Sequence, residues 1–585
     1  MRGLGSRSSR HSCRLVLPRR CWFPIIGPTV PPSGFSASPT PDPLHVTAVT
    51  PYVTQGPHNG PDGPTSGSRS AMSDDGRGSE LAGLLEQAEA EEVVVAKAFI
   101  AGRWTTTTQR HDRVGPWLRR VVSTAWQADA DVVEAAREAA RDGARVVARL
   151  SPASRAEVLA RAADLAVVHR DRLARLIALE LGKPVRDGGK EVDRVADTFT
   201  VCADETRRIG GEVLPVAGYA SGVGNTAMTM RAPLGVALAI TPFNAPANLL
   251  AHKLGASFAA GNTTLVKSPP QAPAVTAAVV ALLLEAGMPP AAVQLMHGGG
   301  ELGARLCGLP EVAVISFTGS AETGAAVARA AGAKRLVLEL GGNAATIVCD
   351  DADLSRAARI CAATGYSNSG QSCISVQRVY AHASVADVFV ALLTKEVEAL
   401  VVGDPQQPQT EVGSMVDEAA ASRVEGWIAA AVAQGAVLAT GGVRDGATLT
   451  PGLVVDPPDD ADIVRHEAFG AVVVVMRFED FDEVVERCNA SRYGLQAGLF
   501  TQRLDTVLRA WRDLEVGAVV VNGSSNFRLD HVPFGGVKDS GFGRESPRHM
   551  IEDYTSVKTL LVKDLSVWGT ESAPPAPAPT KETRA

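Results

Sequence analysis

Apolar residues recur every three or four positions over residues 129–181, in "ADVVEAAREAARDGARVVARL" and "SPASRAEVLARAADLAVVHRDRLARLIALELGKP". This spacing places them on one face of an α-helix, so the region is predicted to be helical. Ser151 is suited to cap a helix that starts at Pro152. Gly182 and Pro184 are typical of a helix end, so the helical region is expected to stop there.

After residue 233, apolar runs alternate with helical patterns. The predicted strands are "GVALAITPF", "TTLVKSP", "VQLMHGGG", "VAVISFTGS" and "KRLVLELGG". Strands that alternate with helices predict a parallel sheet covered on both faces, and ligands bind beyond the carboxyl ends of such strands. The residues found at those ends are Asn244, Lys267, Gly319, Ser320 and Glu339.

A second alternating region spans about 345–540, with "ATIVCD", "VQRVYAHA", "AVVVVMRF", "AGLFT" and "GAVVVNG" as its strands. It predicts a second α/β domain. Residues 211–231 and 554–563 have strand-like patterns but lie outside both regions.

The composition limits the possible functions. The chain has 585 residues, 45% of them hydrophobic, and a net charge of −7 without a long basic run in its body, which argues against nucleic acid as a partner. Apolar runs end well before 18 residues, so no membrane span is expected. Eight cysteines without a CxxC pair predict neither a disulfide framework nor a metal site, and favour the cytoplasm.

Both termini differ from the rest of the chain. Residues 1–71 are rich in Pro, Ser, Gly and Arg, and Met72 resembles a natural start. We expect residues 1–80 to be a disordered or wrongly assigned leader; a targeting peptide is the alternative, although the prolines argue against it. Residues 567–585 are rich in Pro and Ala and are expected to be disordered.

Two glycine-containing turns are candidate nucleotide contacts. "FTGSAETG" places Gly319 and Ser320 at a helix start, where free N–H groups suit a pyrophosphate. "GGGELG" at 298–303 fits a nucleotide-contacting turn or a plain glycine-rich turn equally well. Lys267 would be a costly buried charge unless it meets a polar ligand; the alternative is that its amine reaches solvent.

Three side chains together fit nucleophilic oxidation of an aldehyde. Cys373, in "GYSNSGQSCISVQRVY", can attack a carbonyl carbon, Asn244 can donate to the resulting oxyanion, and Glu339 can activate water. Singly, each has a more ordinary explanation, as a packing, turn or paired residue. Their combination is what indicates chemistry.

The motifs that contain these residues resemble those of the aldehyde dehydrogenase superfamily. They are "TPFNAP", "LVKSP", "FTGSAETG", "LELGG", "GQSCIS", "HEAFGAVV" and "PFGGVKDSGFGRE", in family order over about residues 90–565. The resemblance implies an α/β fold with a Rossmann-type cofactor domain (81–210 and 232–340), an α/β catalytic domain (341–549) and a β oligomerisation arm (211–231 and 550–566). It also implies a homodimer or homotetramer.

The resemblance assigns Cys373 as nucleophile, Asn244 as oxyanion donor and Glu339 as base. It implies that Lys267 and Glu467 hold the cofactor riboses. The cofactor-binding residues that it implies are Thr241, Lys267, Gly319, Ser320, Glu467 and Phe469. Pro270 stands where many NAD-preferring members have a glutamate, so either NAD or NADP is expected.

The substrate side resembles a branch that includes lactaldehyde and semialdehyde dehydrogenases. Arg194, His252 and Arg528 are its candidate substrate residues. For Arg194, an ion pair with a helix neighbour, Glu191 or Asp193, is the alternative. Ser372 replaces an arginine found in phosphate-handling relatives, which favours a small polar or weakly anionic aliphatic aldehyde. An acylating dehydrogenase or a catalytically silent scaffold are the alternative functions, but both fit poorly with the retained Cys373, Glu339 and Asn244.

Overall fold

The structure, a computed structural model, describes residues 79–566. The helices in this part of the chain are α1 (Glu80–Glu89), α2 (Ala130–Val147), α3 (Pro152–Val168), α4 (Arg170–Leu181), α5 (Val185–Arg207), α6 (Pro246–Ala260), α7 (Pro273–Glu285), α8 (Gly300–Gly308), α9 (Ala321–Ala331), α10 (Leu354–Gly365), α11 (Ala383–Glu398), α12 (Glu418–Ala433), α13 (Asp462–Arg465), α14 (Phe481–Asn489), α15 (Leu504–Asp513) and α16 (Pro547–Asp553).

The strands of the same residues form six sheets. They are β1 (Val94–Ala96), β2 (Ala98–Ile100), β3 (Arg103–Thr105), β4 (Arg110–Val114), β5 (Val121–Trp126), β6 (Val213–Leu214), β7 (Thr226–Pro233), β8 (Val236–Ile240), β9 (Thr263–Lys267), β10 (Val293–Met296), β11 (Val312–Thr318), β12 (Arg335–Glu339), β13 (Ala345–Val348), β14 (Arg378–His382), β15 (Val437–Thr440), β16 (Arg444–Asp445), β17 (Thr448–Leu449), β18 (Gly452–Val455), β19 (Val472–Phe478), β20 (Tyr493–Gly494), β21 (Gln496–Phe500), β22 (Ala518–Val521), β23 (Val537–Lys538), β24 (Gly541–Phe542) and β25 (Thr555–Val562).

The helical region predicted for residues 129–181 forms α2, α3 and α4. The Ser151 hydroxyl accepts a hydrogen bond from the backbone N–H of Ser154, and Pro152 is the first helical residue, as predicted. Gly182 ends α4 in the left-handed conformation, with φ of 70°. The expected leader and tail lie outside the described residues, except that Ser79 and Glu80 begin α1, which corrects the predicted leader boundary by two residues.

The first large sheet has eight strands. Its order is β24-β12-β11-β8-β9-β10-β2-β3, and the five central strands are parallel, as predicted. Alternate residues of β8 enter different hydrophobic clusters: Leu238 and Ile240 join one, Ala237 and Ala239 the other. Both faces of this sheet are therefore covered, and the carboxyl ends of β8, β9, β11 and β12 lie along one edge.

The second sheet has seven strands in the order β15-β18-β19-β14-β13-β21-β22, all parallel except β15. It contains the five strands predicted between 345 and 540. The two strand-like segments outside both units pair with each other, since β7 and β25 run antiparallel over eight residues each. No helix in the described part of the chain is both long and apolar enough to cross a bilayer.

Candidate active site

The carboxyl ends of the central strands open into a cavity of about 1190 Å³. It is lined by all six residues predicted to bind a cofactor and by two of the three predicted catalytic residues. These are Thr241, Lys267, Gly319, Ser320, Glu467, Phe469, Asn244 and Cys373. Residues that lie far apart in the sequence thus meet at one edge of the sheet, as parallel strands require.

Cys373 follows a tight turn, the 3₁₀ segment Ser367–Gly370. Gly370 has φ of 73°, and a Cβ there would lie 2.0 Å from the carbonyl oxygen of Gly470. A second close approach involves Gly342, where a Cβ would lie 2.2 Å from the Cys373 carbonyl oxygen. Only glycine fits at these two positions, so the cysteine loop can pack directly against the segment that follows β12.

The Cys373 side chain lies partly exposed at the cavity and packs on Ile374, Leu495 and Phe534. Burial, together with the carboxylates of Glu467 and Glu339, raises the pKa of its thiol to about 12. The thiol is therefore the resting form in the free protein, and ionisation requires a base or a positive charge brought in with a ligand.

Hydrogen bonds of both its side chain and its backbone hold Asn244 against the loop that precedes Cys373. Its Nδ2 donates to the carbonyl of Gln371 at 3.1 Å. The backbone carbonyl of Asn244 accepts from Nζ of Lys183 at 3.2 Å and from Nδ2 of Asn368 at 3.0 Å. Lys183 in turn donates to the buried carboxylate of Glu191 at 2.6 Å. These contacts hold the Asn244 amide two residues from the nucleophile, where it can serve as a hydrogen-bond donor.

Glu339 ends β12 and is buried outside the cavity lining. Neither of its carboxyl oxygens has a hydrogen-bond partner among the described residues. Burial raises its pKa well above the usual range, and the neighbouring Glu545 adds to this. Because its pKa is raised, the ionised carboxylate is a stronger base than an ordinary one, and it can accept a proton from a water molecule.

Lys267 lies on the cofactor-binding side of the cavity. Lys267 is only 7% exposed, and no carboxylate of residues 79–566 lies within 4 Å of its ammonium. Burial lowers its pKa to about 8. Its side chain lines the cavity, so a polar ligand there would relieve the cost of burying the amine.

Glu467 and Phe469 also line the cavity. Oε1 of Glu467 accepts from the backbone N–H of Gly342 at 2.9 Å, and burial raises its pKa to about 7. Phe469 has φ of 46° and meets Phe243 edge to face, with ring centroids 5.8 Å apart. The ring of Phe469 therefore forms a fixed, flat apolar wall near Cys373.

Backbone N–H groups also lie on the cofactor-binding side of the cavity. Ser320 caps α9 by accepting from the N–H of Thr323, so the first turn of α9 points its free N–H groups at the cavity. Gly300 and Gly303 also line the cavity, so "GGGELG" faces the same space as Ser320. An unpaired lysine, a helix N-terminus and a flat aromatic wall together fit a dinucleotide.

The three predicted substrate residues meet in a separate buried cluster and do not line the cavity. The Arg194 guanidinium binds Asp530 through two hydrogen bonds of 2.9 and 2.7 Å. His252 Nε2 lies 2.9 Å from the same carboxylate. Arg528 donates to Glu545 at 3.1 Å and contacts His252 Nε2 at 3.1 Å.

Arg194 therefore pairs with Asp530 and not with Glu191 or Asp193, the helix neighbours considered as its alternative partners. Asp193 pairs with Arg170 instead. Sequence patterns missed Asp530, Glu545 and Lys253, whose ammonium lies 2.7 Å from Glu545. The one available signal was the alternation of charged and apolar residues in "NFRLDHVPF", which places Arg528 and Asp530 on one side of the chain.

The profile of the Aldehyde dehydrogenase family matches residues 104–560. The chain belongs to this family. It is 39% identical over 465 residues to a 3-sulfolactaldehyde dehydrogenase of Priestia aryabhattai, covering 79% of this chain and 97% of that protein. It is 38% identical to aspartate-semialdehyde dehydrogenase 1 of Pseudomonas canavaninivorans, covering 77% and 96%.

Among solved structures, the NADP-dependent glyceraldehyde-3-phosphate dehydrogenase of Bacillus halodurans, complexed with NADP, matches with a TM-score of 0.78 and 33% identity. The match covers 80% of this chain and 99% of that one. The predicted family, its α/β fold and an oxidoreductase that acts on aldehydes are therefore confirmed.

Proposed function

We propose that this aldehyde dehydrogenase oxidises a small polar or weakly anionic aliphatic aldehyde to a free carboxylic acid. The observation that carries the proposal is the position of Cys373 in the cavity lining, with the Asn244 amide held on its loop and the buried Glu339 carboxyl close enough to raise the pKa of the thiol.

Once a ligand brings in a positive charge, the Cys373 thiol releases its proton to water, its sulfur adds to the aldehyde carbon, and the carbonyl oxygen becomes an oxyanion. Asn244 Nδ2 and the backbone N–H of Cys373 donate to that oxyanion, which stabilises the charge as it develops. NAD or NADP, when bound, accepts the hydride that leaves the same carbon, and a thioester to Cys373 results. Lys267, Glu467, Ser320, Gly319, Thr241 and Phe469 are the residues that would hold this cofactor.

Glu339 completes the reaction. Its carboxylate takes a proton from a water molecule, the hydroxyl adds to the thioester carbon, and the bond to sulfur breaks to release the acid. An acylating enzyme would need no such base, and a silent scaffold would need neither the thiol nor the amide. The presence of all three groups favours hydrolysis over both alternatives.

The substrate class rests on charge. Ser372, next to the nucleophile, contributes no cation, and the nearby arginines Arg194 and Arg528 are already paired with Asp530 and Glu545. Sulfolactaldehyde and aspartate semialdehyde, for which two relatives are named, are small aliphatic aldehydes that carry a sulfonate and an amino-acid carboxylate, so they support the small and anionic part of this class. A cytoplasmic location, favoured by the cysteine pattern, remains a prediction.

The experiment that tests this function measures reduced cofactor by absorbance, with NAD and NADP in parallel. We expect turnover with small hydroxy- and oxo-substituted aldehydes, and the carboxylic acid as the product in equal amount. A product that appears only when coenzyme A is added would instead show the acylating reaction. Absence of turnover with every aldehyde and both cofactors would contradict the proposal.

We further propose that the enzyme is a homodimer or homotetramer assembled through β7 and β25. These strands form a ribbon, extended at one end by the short β6, that leaves several large apolar side chains exposed. They are Met228, Met230, Val557, Leu560 and Leu561. A narrow ribbon is marginally stable alone, and its apolar surface is typical of a subunit interface.

Replacing both Leu560 and Leu561 by aspartate is expected to convert the assembly to a smaller species, because it places two charges in an apolar interface. Light scattering coupled to size-exclusion chromatography measures the mass. Val443→Asp, which changes an equally exposed valine outside the ribbon, is the control and should leave the mass unchanged. An unaltered mass in the double variant would show that the ribbon is not the interface.

A further inference from the structure

Two buried acidic side chains, Asp187 and Glu191, lie one helical turn apart on the same face of α5. Glu191 accepts from Lys183, whose ammonium also donates to the backbone carbonyl of Asn244. Asp187 takes no part in the contacts described so far, although its side chain is only 5% exposed. A buried carboxylate needs hydrogen-bond donors, and these donors identify the segment that Asp187 holds.

Asp187 binds the turn that precedes the nucleophile. Its Oδ2 accepts from the hydroxyl of Ser367 at 3.2 Å and from the backbone N–H of Asn368 at 3.1 Å. Its Oδ1 accepts from Nζ of Lys190 at 3.1 Å, and the Lys190 side chain is 62% exposed. One carboxylate oxygen therefore binds the turn, and the other pairs with a surface lysine.

The turn needs support because of its backbone conformation. Asn368 has φ of 50° and Ser369 has φ of 55°, so two residues other than glycine are left-handed in succession ahead of Gly370. Such a conformation persists only where the surrounding contacts determine it. The Ser369 hydroxyl donates to the carbonyl of Gly413 at 3.0 Å, and Asp187 holds the other end of the turn through the N–H of Asn368.

In this conformation the turn holds the proposed oxyanion donors. Nδ2 of Asn368 donates to the backbone carbonyl of Asn244 at 3.0 Å and to the carbonyl of Gln371 at 3.2 Å. The Asn244 amide donates to the same Gln371 carbonyl at 3.1 Å. Cys373, whose backbone N–H is the second oxyanion donor, follows two residues later. A shift of Asn368 would therefore move both donors.

We propose that Asp187 is a positioning residue, which fixes the left-handed turn before Cys373 and, through Asn368, keeps both oxyanion donors in place. Asp187 does not line the cavity. Its role requires an acceptor oxygen directed at the turn, whereas its negative charge is not needed there. Misplaced donors slow the step in which the oxyanion forms and leave cofactor binding unaffected. This inference rests on the proposed function, because it concerns the donors assigned there.

The test compares two replacements of nearly equal size. Asp187→Asn keeps an oxygen that can accept from Ser367 and Asn368, whereas Asp187→Leu has none. We expect kcat to fall by about 10- to 100-fold in Asp187→Leu and to stay within about threefold of the native value in Asp187→Asn. Fluorescence titration should give the native Kd for NADH and NADPH in both variants. Equal kcat values in the two variants would overturn the proposal.

Asp193→Leu is the matched control. Asp193 lies on the same helix, but its side chain is 51% exposed and pairs with Arg170 and not with the turn. Its replacement should leave both kcat and cofactor binding unchanged. A loss as large as that in Asp187→Leu would show a general disturbance of α5 and would contradict the role assigned to Asp187.

A double variant tests whether Asp187 acts through Asn368. Asn368→Gly still adopts the left-handed conformation but lacks the donor to Asn244, so kcat should fall about tenfold. Because both changes disturb the same contact, Asp187→Leu/Asn368→Gly should be no more than about twofold slower than the slower single variant. Losses that multiply would contradict the proposed path.

The Asn368→Gly variant also decides the case in which Asp187→Leu does not fold. A native kcat in Asn368→Gly would then overturn the proposal, because the contact that Asp187 is proposed to maintain would have no effect on the reaction. Failure of the proposed function is distinct, since the native enzyme would then oxidise no aldehyde with either cofactor.

Discussion

Alanine in place of Cys373 is expected to reduce kcat/KM for every aldehyde by about 10⁴-fold or more, because Cys373 is the one thiol among the described residues that line the cavity. The thiol lies in the cavity lining, on the loop to which Asn244 donates, and the Glu339 carboxyl is near enough to raise its pKa. Steady-state rates of cofactor reduction, measured beside thermal unfolding, give the comparison with the native enzyme.

Cys361→Ala is the matched control. Cys361 is fully buried, and burial raises its pKa to about 12, as for Cys373. It packs in the core of the seven-stranded sheet and lies outside the cavity lining. Its replacement should lower stability by about 1 kcal/mol and leave turnover almost intact. Native-like turnover in Cys373→Ala would remove Cys373 from the mechanism.

The raised pKa of Cys373 also predicts how the free enzyme reacts with iodoacetamide. Because only the thiolate reacts, the alkylation rate should rise about tenfold for each pH unit below a pKa of about 12. Mass spectrometry of the peptide that contains Cys373 follows this rate. A plateau near neutral pH would mean that the free enzyme already holds a thiolate.

The strands and most of the cavity could be predicted because they depend on local patterns. Burial of β8, β9, β11 and β12 on both faces requires unbroken apolar runs, and the polar residue that ends each run must then lie at the edge of the sheet. Asn244, Lys267 and Glu339 were found in this way. The antiparallel β24 was missed, because two residues paired with β12 from some 200 positions away leave no periodic signal.

Side-chain partners were harder to predict than positions. Arg194 was expected either to bind substrate or to pair within its own helix, but its partner Asp530 is 336 residues away. Contacts of that kind depend on how α5, α6 and the loop around Asp530 pack together, which no single segment specifies. The same holds for Lys183, which supports Asn244 from another helix boundary.

Glutamine in place of Glu339 is expected to separate the two halves of the reaction. Acylation does not need the carboxylate, so mixing with aldehyde should give a rapid burst of about one reduced cofactor per active site. Deacylation needs a base, so the later steady rate should fall by about 10²- to 10⁴-fold. Stopped-flow absorbance resolves both phases in a single experiment.

Hydroxylamine provides the control, because it attacks a thioester without help from a base. It should restore steady turnover in Glu339→Gln but not in Cys373→Ala, whereas a misfolded active site would respond in neither variant. Full steady turnover in Glu339→Gln without hydroxylamine would remove Glu339 from the mechanism.

The stability of Glu339→Gln should also depend on pH in a defined direction. The pKa of Glu339 is raised in the folded protein, so its neutral form is accommodated at low pH, and stability is lost as the pH rises through that pKa. Glutamine does not ionise and avoids this loss. The variant should therefore match the native enzyme in acid and exceed its melting temperature in base. The group that speeds deacylation would then be one that weakens the fold, as expected for a buried carboxyl kept without partners so that it can bind a proton.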